Sequence, residues 1–181
     1  MRTHLERRAD LLVPGQALTN RTDTAVTDPQ VDLIVQVVLA WATAQSKIRA
    51  VVLVGSHAHG TARPDSDIDI MLLATNPDAF RADTEWVAEI DWHAKGIRPR
   101  EWRDEEYGAA WSRRIWLANC RGQVELTFAS VSWATADPID AGTRRVISDG
   151  CRILHDPDGF VGSPVQSNRP GDRACGSSCR C

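Results

Sequence analysis

The chain has 181 residues, 43% of them hydrophobic and 25% charged, and a formal net charge of −3. That composition suits one soluble globular domain, or one plus a tail. It excludes both a chain too polar to build a core and a global basic field for holding nucleic acid. No apolar run approaches the roughly 18 residues of a membrane span. The N-terminal MRTHLERRADLLVPGQAL lacks the apolar stretch of a signal peptide, so the expected location is the cytoplasm with no membrane partner. Of the five Cys, Cys175, Cys179 and Cys181 crowd the last seven residues. They read as part of a loose tail, not as a zinc site or a disulfide framework.

Residues 1–28 mix Arg, Thr and Asp with short apolar pieces and are expected to be loosely ordered. Asp28-Pro29 is a helix start, a capping carboxylate followed by Pro at the first helical position. Val31, Ile34, Val35, Val38, Leu39 and Ala42 then form one apolar stripe, and the helix should end near residues 45–47. The β-branched run Ala50–Val54 predicts a buried strand that Gly55 ends. A turn rich in His and Gly reaches Gly60, and a second strand is predicted over Asp67–Leu73. A helix is expected from about Pro77 to Lys95 with Asn76 as its cap, and Pro99 should break the segment after it.

Ser112–Asn119 and Gln123–Ser130 read as two strands joined at Cys120-Arg121-Gly122, with Val124, Leu126 and Phe128 on a buried face. A short helix near Gly142–Asp149, a strand at Cys151–Leu154 and a turn at Asp156-Pro157-Asp158-Gly159 come next. From Ser163 the sequence is Ser, Gly, Arg and Cys with almost no apolar content, which cannot bury enough surface to order itself. The expected division is an N-terminal segment over 1–28, a domain over 29–162 and a tail over 163–181. Seven Trp against one Tyr is unusual, and most are expected in the core.

The chemistry concentrates in Leu53-Val54-Gly55-Ser56-His57-Ala58-His59-Gly60 and in Ser66-Asp67-Ile68-Asp69. A buried strand that ends in Gly-Ser and turns into a helix aims backbone N–H groups beyond the strand, where they favour an anion such as phosphate. Asp67 and Asp69, two apart on a strand, share a face. At about 4 Å their repulsion is on the order of 4 kcal/mol at an effective dielectric of 20. A divalent cation cancels it, and magnesium is the natural choice where phosphate oxygens complete the shell.

Gly-Ser, then ten residues, then Asp-x-Asp resembles the signature of the DNA polymerase β nucleotidyltransferase superfamily. It is closest in style to small bacterial members, the minimal and the aminoglycoside nucleotidyltransferases. The match is strong over Val51–Leu73 and extends more weakly through Glu125 to the segment 152–159. The resemblance implies that Gly55 and Ser56 bind the triphosphate and that Asp67 and Asp69 hold one or two Mg²⁺. It also implies a third carboxylate, as metal ligand or as base for the acceptor hydroxyl. Glu125 in Val124-Glu125-Leu126 stands where that residue is expected, although a Glu on the polar face of a half-exposed strand is also routine. His57, His59, Arg63 and Asp65 receive no role.

The fold implied is α/β (α+β), a small mixed, twisted sheet with helices mainly on one face. The implied reaction moves a nucleoside monophosphate from an NTP, expected to be ATP, to an acceptor hydroxyl and releases pyrophosphate. The acceptor is left open between a small molecule and a protein side chain, with nucleic acid disfavoured by the acidic charge. The alternative is an antitoxin-like module that binds a helical toxin. Drug-modifying relatives carry a helical C-terminal domain, whereas this chain stops soon after Gly159 apart from its tail. The working form is therefore expected to be a homo-oligomer or a complex in which another chain covers the cleft.

Overall fold

The computed structural model describes residues 28–118, 122–133 and 140–161; the expectations for the N-terminal segment, for the connection at 119–121 and for the Cys-rich tail lie outside them. Helix α1 spans Pro29–Ala44, and the Asp28 carboxylate accepts from the Gln30 N–H at 2.9 Å, as the Asp-Pro start predicts. Its apolar stripe, with Ile34, Val38 and Ala42 fully buried, packs on a six-stranded sheet. The strands are β1 (Ile48–Val54), β2 (Ile68–Ala74), β3 (Arg98–Glu106), β4 (Ala110–Ala118), β5 (Gln123–Ser130) and β6 (Arg152–His155). Their order is β3-β4-β5-β2-β1-β6. Only the β2–β5 pairing is parallel, so the sheet is mixed.

β1, β2 and β5 are the central strands, and both of their faces are covered. Ile68, Ile70, Leu72, Val124, Leu126 and Phe128 join the main core beneath α1. Met71, Leu73, Ala129 and Val52 form a smaller cluster on the opposite face with Trp133 and Val161. The site lies on this second face, at the end of the sheet where β1 and β2 carry Val54 and Asp69 as register partners. Helix α5 (Ala141–Asp149) lies on the same side, and the Asp140 side chain accepts from the N–H of Gly142 at 2.9 Å and of Thr143 at 3.0 Å.

The helix expected over 77–95 is broken into α3 (Pro77–Ala82), α4 (Trp86–Glu89) and a 3₁₀ turn at His93–Lys95. Buried indoles explain the breaks. Trp86 donates to the Phe80 carbonyl and Trp92 to the Val87 carbonyl, both at 2.7 Å, in a core that stacks Trp111 on Phe128 and Trp41 on Trp86. Buried N–H groups need acceptors, and carbonyls at the ends of short helices supply them. Asn76 makes no side-chain capping bond to α3. Pro99 does not end a segment either: it lies inside β3, an edge strand, where a missing N–H costs no ladder bond. The expected turn at 156–159 is present, with the Asp156 carboxylate accepting from the N–H of Phe160 and Val161 at 2.9 Å each. Five of the seven Trp, namely Trp41, Trp86, Trp92, Trp111 and Trp133, are buried, which leaves little Trp surplus for an interface. No helix of the described residues is long and apolar enough to cross a membrane.

Candidate active site

Gly55 ends β1 and opens the short helix α2 (Gly55–His59) with φ at +68°, the left-handed region that favours glycine. A Cβ built there would stand 2.3 Å from Asp69 Oδ2, so the backbone at the start of α2 presses directly on that carboxylate. The Gly-Ser turn and the second Asp of Asp-x-Asp, fourteen positions apart in sequence, are thus in contact. Ser56 sits in the first turn of α2, and its carbonyl accepts from the N–H of Thr61 at 3.0 Å as the helix closes at Gly60.

Asp69 and Glu125 are register partners on the parallel pair β2–β5, which brings together two of the three carboxylates expected from sequence. Glu125 is buried, with 8% of its surface exposed, so it is not the routine half-exposed Glu that its strand pattern equally allowed. Asp69 has its pKa raised to about 7, first by burial, then by the charges of Glu125 and Asp67, with Arg114 opposing.

Asp67 is placed differently. Its two oxygens accept from Gln123, from the backbone N–H at 3.2 Å and from Nε2 at 2.9 Å. The close approach depends on Gly122, where a Cβ would meet the Ser66 carbonyl oxygen at 2.5 Å. Among the described residues, no three His, Cys, Asp or Glu side chains are gathered as they stand into a set that could hold an ion. The donors nevertheless suit a hard divalent cation. All are carboxylate oxygens, and Asp69 is held well above the ordinary carboxylate range by burial and neighbouring negative charge that a cation would offset.

Several residues that meet at this site gave no signal in the sequence. Arg114, the register partner of Glu125 on β4, touches Glu125 Oε2 through Nη2 at 3.1 Å. The same nitrogen donates to Tyr107 Oη at 3.0 Å, and Tyr107 donates to Glu105 at 2.8 Å. A cleft of about 290 Å³ runs from Gly55, Asp69 and Glu125 between the sheet and α5, with Tyr107, Trp133 and Thr143 among its walls. No Lys, Arg or His lines it among the described residues. Of the two loop histidines, His59 ties α2 to the end of α5 through Nε2, 2.6 Å from the Gly150 carbonyl oxygen.

A family model described as streptomycin adenylyltransferase matches residues 30–137, more than half of the chain, and includes Gly55, Ser56, Asp67, Asp69 and Glu125. Comparison with curated proteins finds no match. Among solved structures, one titled "Structural Basis for the Activity of a Cytoplasmic RNA Terminal U-transferase" is similar at 19% identity with a TM-score of 0.34. The alignment covers 55% of this chain and 27% of that one, so the chain spans roughly a quarter of that neighbour's length.

Proposed function

The chain belongs to the streptomycin adenylyltransferase family, a family of nucleotidyltransferase type, and on that premise we propose that it transfers a nucleoside monophosphate from ATP to a hydroxyl of a small-molecule acceptor. The observation that carries the proposal is the meeting of three segments at one point. Asp69 pairs with Glu125 across β2–β5, and Gly55 backs onto the Asp69 carboxylate.

In this reading Asp69, Glu125 and Asp67 hold magnesium, Asp67 turning from Gln123 to do so. Bound magnesium would supply charge to offset the phosphate oxygens, as in other metal-assisted phosphoryl transfers. The N–H groups and Ser56 hydroxyl at the start of α2 bind the phosphates. The acceptor oxygen attacks the α-phosphorus, a new P–O bond forms, the α–β bridging P–O bond breaks and pyrophosphate leaves. Glu125 accepts the hydroxyl proton, a role its place in the wall of the cleft supports. The cleft itself carries Asp69, Glu125 and Asp140 and no basic group among the described residues. That lining disfavours a polyphosphate inside it and supports a neutral or cationic acceptor there, held against the sheet for attack. α5 and Trp133 already supply one wall, and a second copy or a partner chain would complete the cover. The cytoplasm, which holds ATP and magnesium, is the corresponding location.

The test is pyrophosphate release from ATP, with magnesium or EDTA, across a panel of hydroxyl-bearing acceptors that includes amino sugars and peptides. The expected result is magnesium-dependent release stimulated by a small-molecule acceptor and lost in Asp69→Asn. No release from any nucleoside triphosphate with any acceptor, from folded protein, would overturn the proposal.

A further inference from the structure

We propose that Arg114 is a built-in competitor of the metal: its guanidinium occupies Glu125 in the cation-free site and is displaced from that carboxylate when a divalent cation binds. The inference rests on the reading that Asp69 and Glu125 hold the cation. Glu125 sits between two register partners, Asp69 on β2 and Arg114 on β4, so it can be claimed from either side. In the structure Arg114 claims it, with Nη2 3.1 Å from Oε2 and both side chains largely shielded from water.

Arg114 also has somewhere else to go. Tyr107 Oη accepts from the same Nη2 at 3.0 Å, and Glu105 Oε2 lies 3.3 Å from Nε. That Nε is buried yet makes no hydrogen bond among the described residues, so the Glu105 contact is close but not aligned. A small rotation of the guanidinium away from Glu125 would align it. Arg114 would then exchange one carboxylate partner for another and remain paired, while Glu125 became available to an incoming cation. Arg103, bonded to Glu105 Oε1 at 2.5 Å, leaves the second oxygen of Glu105 to Arg114 and Tyr107. In this arrangement Arg114 is a positioning residue. It keeps Glu125 ordered beside Asp69 at the expense of metal affinity.

Loss of a merely structural arginine would weaken the site, whereas loss of a competitor tightens it. Removing the competing charge tightens cation binding even though it deletes an ion pair of the site. The experiment is direct Mn²⁺ binding to the full chain without nucleotide at pH 8, with melting temperature as the fold control.

Arg114→Gln is expected to bind Mn²⁺ about three- to tenfold tighter. Arg114→Lys, which keeps the charge, is expected to stay close to wild-type affinity. Glu105→Gln, with the same melting-temperature control, removes the second anchor and is expected to weaken Mn²⁺ binding. Unchanged or weaker Mn²⁺ binding in folded Arg114→Gln overturns the proposal, as does equal tightening in Arg114→Lys or tighter binding in Glu105→Gln. A wild-type protein that binds no Mn²⁺ would overturn the cation reading itself, and this inference with it.

Discussion

Arg113 and Arg114 are neighbours on β4 and lie on opposite faces of the sheet, and their surroundings differ in charge balance. Arg113 is fully buried, grips Asp104 through Nε at 2.7 Å and Nη2 at 2.9 Å, and lies over the Trp102 ring at 4.1 Å and near Trp86 and Trp111. One cation meets one anion inside an aromatic box, and the charges balance without a ligand, although Nη1 makes no hydrogen bond among the described residues. Arg114 faces Glu125 and Glu105, with Asp69 and Asp67 close enough to act on one another's charge. On this face four carboxylates outnumber the two cations that touch them, Arg114 and Arg103. The first environment is what stability alone produces, whereas the second is left needing positive charge, the mark of a site that receives it from outside.

Breaking each face separately sharpens the contrast. The largest expected effect is on the site face: Asp69→Asn should abolish transfer while leaving the protein folded, as measured by pyrophosphate release and circular dichroism. On the other face, Arg113→Met leaves Asp104 without its partner and should cost about 3–5 kcal/mol in denaturant unfolding. Turnover per folded molecule should stay near wild type.

Gly55→Ala joins the two kinds of effect. The left-handed backbone alone costs about 1–2 kcal/mol for a residue with a Cβ, and the clash with Asp69 adds to it. Both melting temperature and nucleotide affinity should fall. The smallest effect on the fold is expected for Ser56→Ala, which should leave the melting temperature alone and weaken nucleotide binding or turnover by about 1.5–3 kcal/mol.

What could be read from sequence divides along the same line. α1, β1 and β2 were legible because Asp28-Pro29, the α1 stripe and the β-branched runs act locally. Gly55, Ser56, Asp67, Asp69 and Glu125 stood out as candidates because their types and spacing resemble a known signature. β3 was not legible: Arg98–Glu106 is nearly all charged and becomes a strand only by pairing along β4 as an edge. The breaks within 77–95 were hidden because they depend on where two indole N–H groups find carbonyls. Arg114, Tyr107 and Gln123 could not be found, since a polar side chain gains its role from partners on other strands. Gly122 read as a hairpin residue, while its closest constraint is the Ser66 carbonyl across the site.

In the proposed reading Asp69, half-buried, and Glu125, buried, form a carboxylate pair built for a cation. The most direct test of that central claim is the stability difference between wild type and Asp69→Asn across pH, without metal and then with magnesium. Asp69 ionises at about 7 in the folded chain against 3.8 ordinarily, so the folded state retains a proton the unfolded state has lost. Wild-type stability should therefore fall relative to Asp69→Asn between about pH 4 and pH 7, approaching a difference of about 4 kcal/mol, and stay level above that. Magnesium at pH 8 should close most of the gap by stabilising wild type alone. Parallel curves for the two proteins from pH 4 to 8, unmoved by magnesium, would contradict the claim.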